Sequence, residues 1–190
     1  MEVGIPLANE LEVRISEAFC IFDHHGDKYI DTRNVGNVLR FLGCVPSEKE
    51  INEIIAATES VENPGETHLP KFMAHVSVLL MQRKMEPASP EKLLKAFETL
   101  DPENKRFLTK EYFGKLMEEE AEKFSKEELA NMWPVAIDPI TGNIPYLFYI
   151  NQLKHKTTIY DVADVIREEL AANEKEKKKE RSPMPQMFGL

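Results

Sequence analysis

Apolar residues recur along most of the chain at the three- and four-residue spacing of amphipathic helices. This spacing predicts eight helices, over residues 8–22, 32–42, 47–58, 69–84, 90–100, 109–119, 125–136 and 146–154. A further apolar stripe predicts a ninth helix and comprises Ile159, Val162, Ala163, Ile166 and Leu170. The pattern therefore predicts an all-α protein.

The two halves of the chain repeat each other with a shift of 78 residues. Residues 15–23 (ISEAFCIFD) recur as residues 93–101 (LLKAFETLD), and each segment has the pattern of a helix that ends at an aspartate. Ser47 and Ser125 are related by the same shift, and each precedes a glutamate by three residues, which predicts a capping box at a helix start. A duplicated pair of helix–loop–helix elements predicts two lobes of similar architecture.

A linker is predicted where prolines oppose a continuous helix. Pro87 and Pro90 lie between the two repeats, so we predict a first lobe over residues 1–84, a linker over 85–90 and a second lobe over 91–156.

Residues 157–190 lie outside the repeat and form an extension. Its stripe Ile159, Val162, Ile166 and Leu170 is followed by a charged run over 174–181 and a proline-containing end. The stripe either packs back on the second lobe or docks on another subunit. Because an apolar, proline-containing end is costly to leave in water, we expect contact with another subunit to order the extension. The charged run, with five basic and three acidic residues, either ends a solvated helix or contacts an acidic surface such as that of tubulin.

The loops between paired helices open on aspartate, as EF-hand loops do. A Ca²⁺ loop requires oxygen ligands at positions 1, 3, 5 and 9, a carbonyl at 7, glycine at 6 and a bidentate glutamate at 12. The first loop, residues 23–34, keeps some of these features, namely Asp23, Asp27, Asp31 and the carbonyl of Tyr29. It has His25, Lys28 and Asn34 at positions 3, 6 and 12, none of which suits the ion.

The other three loops depart further from the Ca²⁺ pattern. The second, over residues 59–71, is one residue too long and ends on lysine. The third, residues 101–112, has Lys105, Arg106 and Tyr112 at positions 5, 6 and 12, and the fourth, residues 137–148, lacks both terminal carboxylates. We therefore predict four EF-hand-shaped elements with no Ca²⁺ site and no other cofactor, the first loop being the only residual candidate.

Composition and charge narrow the function further. The chain has 190 residues and a net charge of −9, which disfavours nucleic acid as a partner, and no apolar run is long enough to span a membrane. Two cysteines and the lack of a signal-peptide pattern predict a reducing, cytoplasmic location. None of the common catalytic motifs occurs, so we predict that the protein is not an enzyme.

The helix and loop motifs together resemble a known family. Residues 15–23, 39–43 and 46–51 are similar to calmodulin, and residues 93–101, 106–110 and 136–139 resemble the EF-hand subunit of the axonemal nexin–dynein regulatory complex. The resemblance covers about residues 10–150. It implies a two-lobed α fold that clasps helices of partner subunits in the axoneme of cilia and flagella, and a role in regulating dynein-driven motility.

The lobes then supply candidate grooves for amphipathic partner helices. Their predicted lining residues, each of which could equally be core, are Phe19, Phe22, Leu39, Phe72, Met73 and Met81 in the first lobe and Phe97, Leu100, Leu116, Met117 and Met132 in the second.

Two other functions stay open at this point. One is a soluble Ca²⁺ sensor or buffer of the calmodulin class, which the loop chemistry disfavours. The other is a structural protein inside microtubules or in a different axonemal complex, which the sequence does not separate from the first hypothesis.

Overall fold

The computed structural model describes residues 8–120, 122–154 and 158–180. Nine α-helices occur in these residues: α1 Glu10–Cys20, α2 Val35–Phe41, α3 Glu48–Thr58, α4 Leu69–Met81, α5 Pro90–Leu100, α6 Lys110–Glu119, α7 Lys126–Ala136, α8 Tyr146–Leu153 and α9 Ile159–Glu180. Four short strands accompany them: β1 Tyr29–Asp31, β2 Glu66–His68, β3 Leu108–Thr109 and β4 Asn143–Ile144. The predicted all-α class is confirmed. None of the helices in the described ranges is long and apolar enough to cross a membrane.

Side-chain caps fix where several helices begin. Ser47 and Ser125 start α3 and α7 with complete capping boxes to Glu50 and Glu128, as the sequence predicts. The side chain of Ser89 accepts a hydrogen bond from the Lys92 amide at the start of α5. Hydrogen bonds between residues close in sequence therefore determine where these helices begin.

Each EF-hand pair is joined by a two-stranded antiparallel sheet. Ile30 of β1 lies opposite Thr67 of β2, and Leu108 of β3 lies opposite Ile144 of β4. Ile30, Leu108 and Ile144 are the eighth residues of their loops, and Thr67 is the ninth of the longer second loop, so the loops pair within each lobe as they do in EF-hand proteins.

The described residues divide into two compact units that do not coincide with the predicted domains. Unit 1 comprises the chain up to Glu86 together with α9, and unit 2 extends from Pro87 through α8. The extension is therefore not a separate domain at the end of the second lobe, because its helix belongs to the first.

The apolar stripe of α9 is part of the unit 1 core. Ile159, Ala163 and Ile166 are buried beside the helices α1 and α4, and Val162 is partly buried. The prediction that this stripe packs on the second lobe or needs another subunit is thus wrong for these residues. Leu170 is 49% exposed and lies beyond the buried part. The predicted proline-containing end, residues 182–190, lies outside the described residues.

The predicted linker also begins too early. Met85 is buried in the unit 1 core, and its carbonyl accepts a hydrogen bond from the Val45 amide at 2.8 Å. Because its side chain and its backbone are both engaged, Met85 belongs to unit 1. Helix α4 ends at Met81, before the predicted end at residue 84.

Unit 2 has a smaller core built on aromatic contacts. The ring of Phe97 stacks on that of Tyr146 at a centroid distance of 5.5 Å and tilts against that of Phe113 at 5.6 Å. The Tyr149 ring meets Phe97 edge-on. This cluster joins the helices α5, α6 and α8.

Candidate functional site

In the first loop, the predicted ligand oxygens accept hydrogen bonds from the chain itself. The two carboxylate oxygens of Asp23 accept from the amides of Gly26 and Lys28, both at 2.8 Å. Asp27 accepts from the amide of Tyr29 at 3.1 Å. Lys28 has a φ of +67°, so the turn that usually requires glycine at position 6 is made by a lysine.

Asp31, at position 9 of this loop, is paired with Arg33. The shortest contact, from Nη2 of Arg33 to Oδ2 of Asp31, is 2.6 Å. Hydrogen bonds from the side chain and the amide of Arg33 lower the pKa of Asp31 to about 2. The Arg33 guanidinium thus neutralises the carboxylate charge of Asp31 that a Ca²⁺ ion would need.

A lysine ammonium replaces the last ligand of the second loop. Lys71 Nζ donates to the carbonyl of Glu59 at 2.8 Å, and the Glu59 side chain accepts from the Gly65 amide at 2.7 Å. A hydrogen bond therefore joins the first and last residues of this loop, Glu59 and Lys71, where a metal ion would join them in a Ca²⁺ loop.

The third loop is held by a buried aspartate. Asp101 accepts hydrogen bonds from the amides of Lys105 and Arg106, at 3.0 and 2.7 Å, and from the Tyr146 hydroxyl at 3.2 Å. Burial raises the pKa of Asp101, but these three donors outweigh it and hold the pKa below its ordinary value. Lys105 also forms an ion pair with Glu103 at 2.7 Å. Lys105, at position 5, thus donates its amide to Asp101 and its ammonium to Glu103, the acids at ligand positions 1 and 3 of the loop.

The fourth loop closes on Asp138, its only acid. This carboxylate accepts from the Thr141 hydroxyl at 2.7 Å and from the Ile140 amide at 3.1 Å, and both bonds lower its pKa. Across the described residues, no group of three or more His, Cys, Asp or Glu side chains is placed to hold a metal ion. The residues present do not fit Ca²⁺, because lysine, arginine and backbone amides already satisfy the carboxylates.

The predicted groove residues of the first lobe lie in one apolar cluster. Phe19, Leu39, Phe72 and Met73 are buried in it, while Phe22 and Met81 are partly buried at its edge. The rings of Phe19 and Phe72 are 5.3 Å apart between centroids. The same cluster contains the buried stripe of α9, so part of the apolar surface of this lobe is covered by the chain itself.

Polar contacts fix α9 at the end of α4. The Tyr160 hydroxyl donates to the Lys84 carbonyl at 2.7 Å, and Arg167 donates to the Met81 carbonyl at 2.8 Å. Asp164 forms ion pairs with Arg83 and with Arg167. Burial, followed by a hydrogen bond with the Cys44 thiol, raises the pKa of Tyr160, which keeps the hydroxyl protonated as a donor.

The predicted groove residues of the second lobe are more exposed. Phe97 is buried, whereas the others are only partly buried around it, namely Leu100, Leu116, Met117 and Met132. Trp133 packs in the same cluster beside Gly114 and Lys110. Within the described residues of unit 2, no additional helix packs on this cluster as α9 packs on the core of unit 1.

Sequence reasoning did not identify the residues that hold α9. Tyr160, Arg83 and Arg167 make contacts between segments about 80 residues apart, which local spacing does not reveal. The loop pattern marks Lys71 and Lys105 as poor ligands, but the hydrogen bonds that their ammonium groups donate depend on the folded loop. For Lys105 the sequence offers one signal, the acid Glu103 two residues earlier, whereas Lys71 donates to a backbone carbonyl that no neighbouring residue type indicates.

Two helix–loop–helix pairs, each joined by a short sheet between its loops, define an EF-hand protein of the calmodulin-like class. The fold is shared with the regulatory domain of Physarum polycephalum myosin II, at a TM-score of 0.57 over 75% of this chain and 23% identity. It is also shared with Mlc1p bound to IQ2 of Myo2p, a class V myosin, at a TM-score of 0.60 over 74% of this chain and 22% identity. Both alignments cover more than nine-tenths of the other chain.

Sequence comparison narrows the class to one family. The chain is 41% identical over 147 residues to dynein regulatory complex protein 8 of Mus musculus, covering 77% of this chain and 90% of that protein. It is 40% identical over 111 residues to the Homo sapiens protein of the same name, of which it spans only 41%. The human ventricular myosin regulatory light chain 2 is 32% identical over 141 residues. No family model matches the chain. At this identity and coverage, the chain belongs to the dynein regulatory complex protein 8 family.

Proposed function

We propose that this protein is a non-catalytic structural and regulatory subunit of the dynein regulatory complex, built into the axoneme of cilia and flagella. The observation that carries the proposal is the 41% identity to a dynein regulatory complex protein over 77% of the chain, together with the EF-hand-pair fold. In this role the protein contributes protein–protein contacts that influence dynein-driven motility.

The partners we propose are amphipathic helices of other subunits of the complex. EF-hand lobes present apolar faces that accept such helices. Mlc1p, which shares this fold, is bound to IQ2 of the class V myosin Myo2p, which supports a helix-binding role for the fold. We further propose that the charged run over 174–181 contacts an acidic surface such as that of tubulin, since its sequence carries a net charge of +2.

The Ca²⁺ sensor remains the competing function, and the loop chemistry argues against it. A sensor must gain a cation at carboxylates that are otherwise repelled from one another. In this chain those carboxylates accept from backbone amides, as Asp23 does, or from basic side chains, as Asp31 and Glu103 do. Lobe conformation would then be independent of Ca²⁺.

The proposal is tested by fluorescent tagging of the full chain in a ciliated or flagellated cell, followed by detergent extraction. We expect the tagged chain to stay with the axoneme and to be lost from axonemes that lack other dynein regulatory complex subunits. A diffuse signal that detergent removes would overturn the proposal.

A further inference from the structure

Helix α4 ends in a turn that usually contains glycine. The Arg83 amide donates to the Leu80 carbonyl at 2.9 Å, and the Lys84 amide donates to the Leu79 carbonyl at 3.0 Å, which is the Schellman arrangement of a helix C-terminus. This arrangement requires a left-handed backbone at the residue after the cap, and Arg83 accordingly has a φ of +54°. A residue with a Cβ is strained there, whereas glycine is not.

Helix α2 of the same unit ends in the same turn, but with glycine. The Gly43 amide donates to the Arg40 carbonyl at 2.9 Å, and the Cys44 amide donates to the Leu39 carbonyl at 3.0 Å. Gly43 has a φ of +88°. The two helices therefore share one kind of ending, and α4 makes it with a residue that does not favour it.

The sequence after α4 favours a longer helix. The segment 82–85 (QRKM) consists of residues with high helix propensity, and the first helix-breaking residue is Pro87. The apolar pattern likewise predicts a helix that continues to residue 84. Local preference and observed structure therefore conflict at this ending, which is typical of strained or functional positions.

Helix α9 satisfies backbone groups at the end of α4. Arg167 donates to the carbonyl of Met81, the last residue of α4, at 2.8 Å. The Tyr160 hydroxyl donates to the Lys84 carbonyl at 2.7 Å. The carbonyls at a helix end have no partners within the helix, so these two hydrogen bonds stabilise α4 in its short form.

Side chains of α9 also hold the left-handed residues. The Arg83 guanidinium pairs with Asp164 and lies over the Tyr160 ring, 5.7 Å from its centroid. Met85, with a φ of +58°, is buried in the core cluster that contains the apolar stripe of α9. The contacts that offset the strain of this segment are thus contacts that α9 provides or completes.

We propose that α4 and α9 form a two-state device, in which α4 ends at Met81 while α9 is packed on the first lobe and extends through Lys84 when α9 leaves. The strain at Arg83 is offset in the first state and relieved in the second, where this residue becomes right-handed. The segment leads to Pro87, the first residue of unit 2, so the position of α9 controls the backbone that leaves the first lobe. A ligand that binds only released α9 would therefore lengthen α4.

The test compares Arg83→Gly with Arg83→Ala in the full chain. Both variants remove the same side-chain contacts, but glycine accepts the left-handed turn whereas alanine favours the longer helix. Hydrogen exchange of the α9 amides reports the release of α9. We expect these amides to exchange about ten- to thirtyfold faster in Arg83→Ala than in Arg83→Gly.

A matched pair at an exposed helical position is the control. Lys49→Gly and Lys49→Ala change a residue of α3 whose side chain is 85% exposed, and they should not differ in α9 exchange. Equal α9 exchange in the two Arg83 variants would mean that the turn stays left-handed after release. A change of the same size in α2 and α3 would mean that α9 leaves only when the whole unit unfolds. Either result would overturn the inference.

NMR of a full chain with α9 displaced observes the second state directly. Ala163→Asp places a carboxylate at a fully buried position of the α9 stripe. We expect the ¹³Cα chemical shift of Arg83 to move into the helical range, while that of Lys28, a left-handed residue of the first loop, stays unchanged. A left-handed shift at Arg83 with α9 displaced and α1 to α3 intact would overturn the inference. If this variant unfolds unit 1, the exchange comparison of the Arg83 variants decides.

Discussion

The hydroxyl of Tyr160 donates a hydrogen bond to the backbone carbonyl of Lys84 at 2.7 Å. This bond joins the start of α9 to the segment that follows α4, where Arg83 also lies against the Tyr160 ring. The contact places the last described helix of the chain in the first lobe. The first EF-hand pair is consequently completed by a segment that is separated from it by the whole second lobe.

Deleting buried side chains of α9 should destabilise unit 1. Ile166→Ala removes a buried aliphatic side chain from the unit 1 core, so we expect the free energy of unfolding to fall by about 2–5 kcal/mol. Leu170→Ala, one turn further along at an exposed position, is the control and should change it by about 0.5 kcal/mol or less. Urea unfolding of the full-length variants measures both. Equal effects would contradict the packing of α9.

Removing only the Tyr160 hydroxyl should have a smaller effect. Tyr160→Phe keeps the buried ring and leaves the Lys84 carbonyl without its donor, so we expect a loss of about 1 kcal/mol. The same unfolding measurement applies, and the result should lie between those of the Ile166 and Leu170 variants. An unchanged free energy of unfolding would show that the hydrogen bond to the Lys84 carbonyl does not stabilise the protein.

A chain that ends at Lys154 tests whether α9 protects its own lobe. Hydrogen exchange should become faster in α1 and α4, which contact α9, and stay unchanged in α6 and α7 of the other unit. Unchanged protection of α1 and α4 would mean that α9 adds no stability to this lobe.

Ca²⁺ should not bind in the concentration range of a sensor. Calorimetric titration of the wild-type chain should give no binding below about 1 mM, because Arg33 and Lys105 pair with acids of the first and third loops and Lys71 stands in place of the last ligand of the second. The triple variant His25→Asp, Lys28→Gly and Asn34→Glu restores the ligand pattern of the first loop and should bind more tightly. Micromolar binding by the wild-type chain would contradict our account of the loops.

Acid should weaken unit 2 through Asp101. Its pKa is lower in the folded chain than the ordinary value of about 3.9, so its stabilising contribution is present above that value and is lost as the pH falls through the folded pKa. Fluorescence of Trp133, the only tryptophan, follows this unit during acid titration. We expect Asp101→Asn to be less stable than wild type at neutral pH and to lose less stability on acidification. Parallel acid curves would show that another group is responsible.

Most of the helical architecture could be predicted because its causes are local. The capping boxes of Ser47 and Ser125 and the 78-residue repeat define the starts and the pairing of the EF-hand helices. These features depend on residues within a few turns of one another.

The location of α9 could not be predicted, because an apolar stripe shows that a face is buried but not what buries it. Ile159 and Ile166 would suit either lobe or another subunit, and the choice of the first lobe depends on contacts with Lys84, Met81 and Arg83. The sequence places Met85 in the linker for a similar reason, since local spacing reveals neither its burial nor the hydrogen bond that its carbonyl accepts from the Val45 amide. Both errors concern packing between segments distant in sequence.

Lysine crosslinking and mass spectrometry on isolated axonemes test the central claim most directly. We expect links between lysines of this chain and other subunits of the dynein regulatory complex. Links confined to proteins outside that complex, or a chain absent from purified axonemes, would contradict the account.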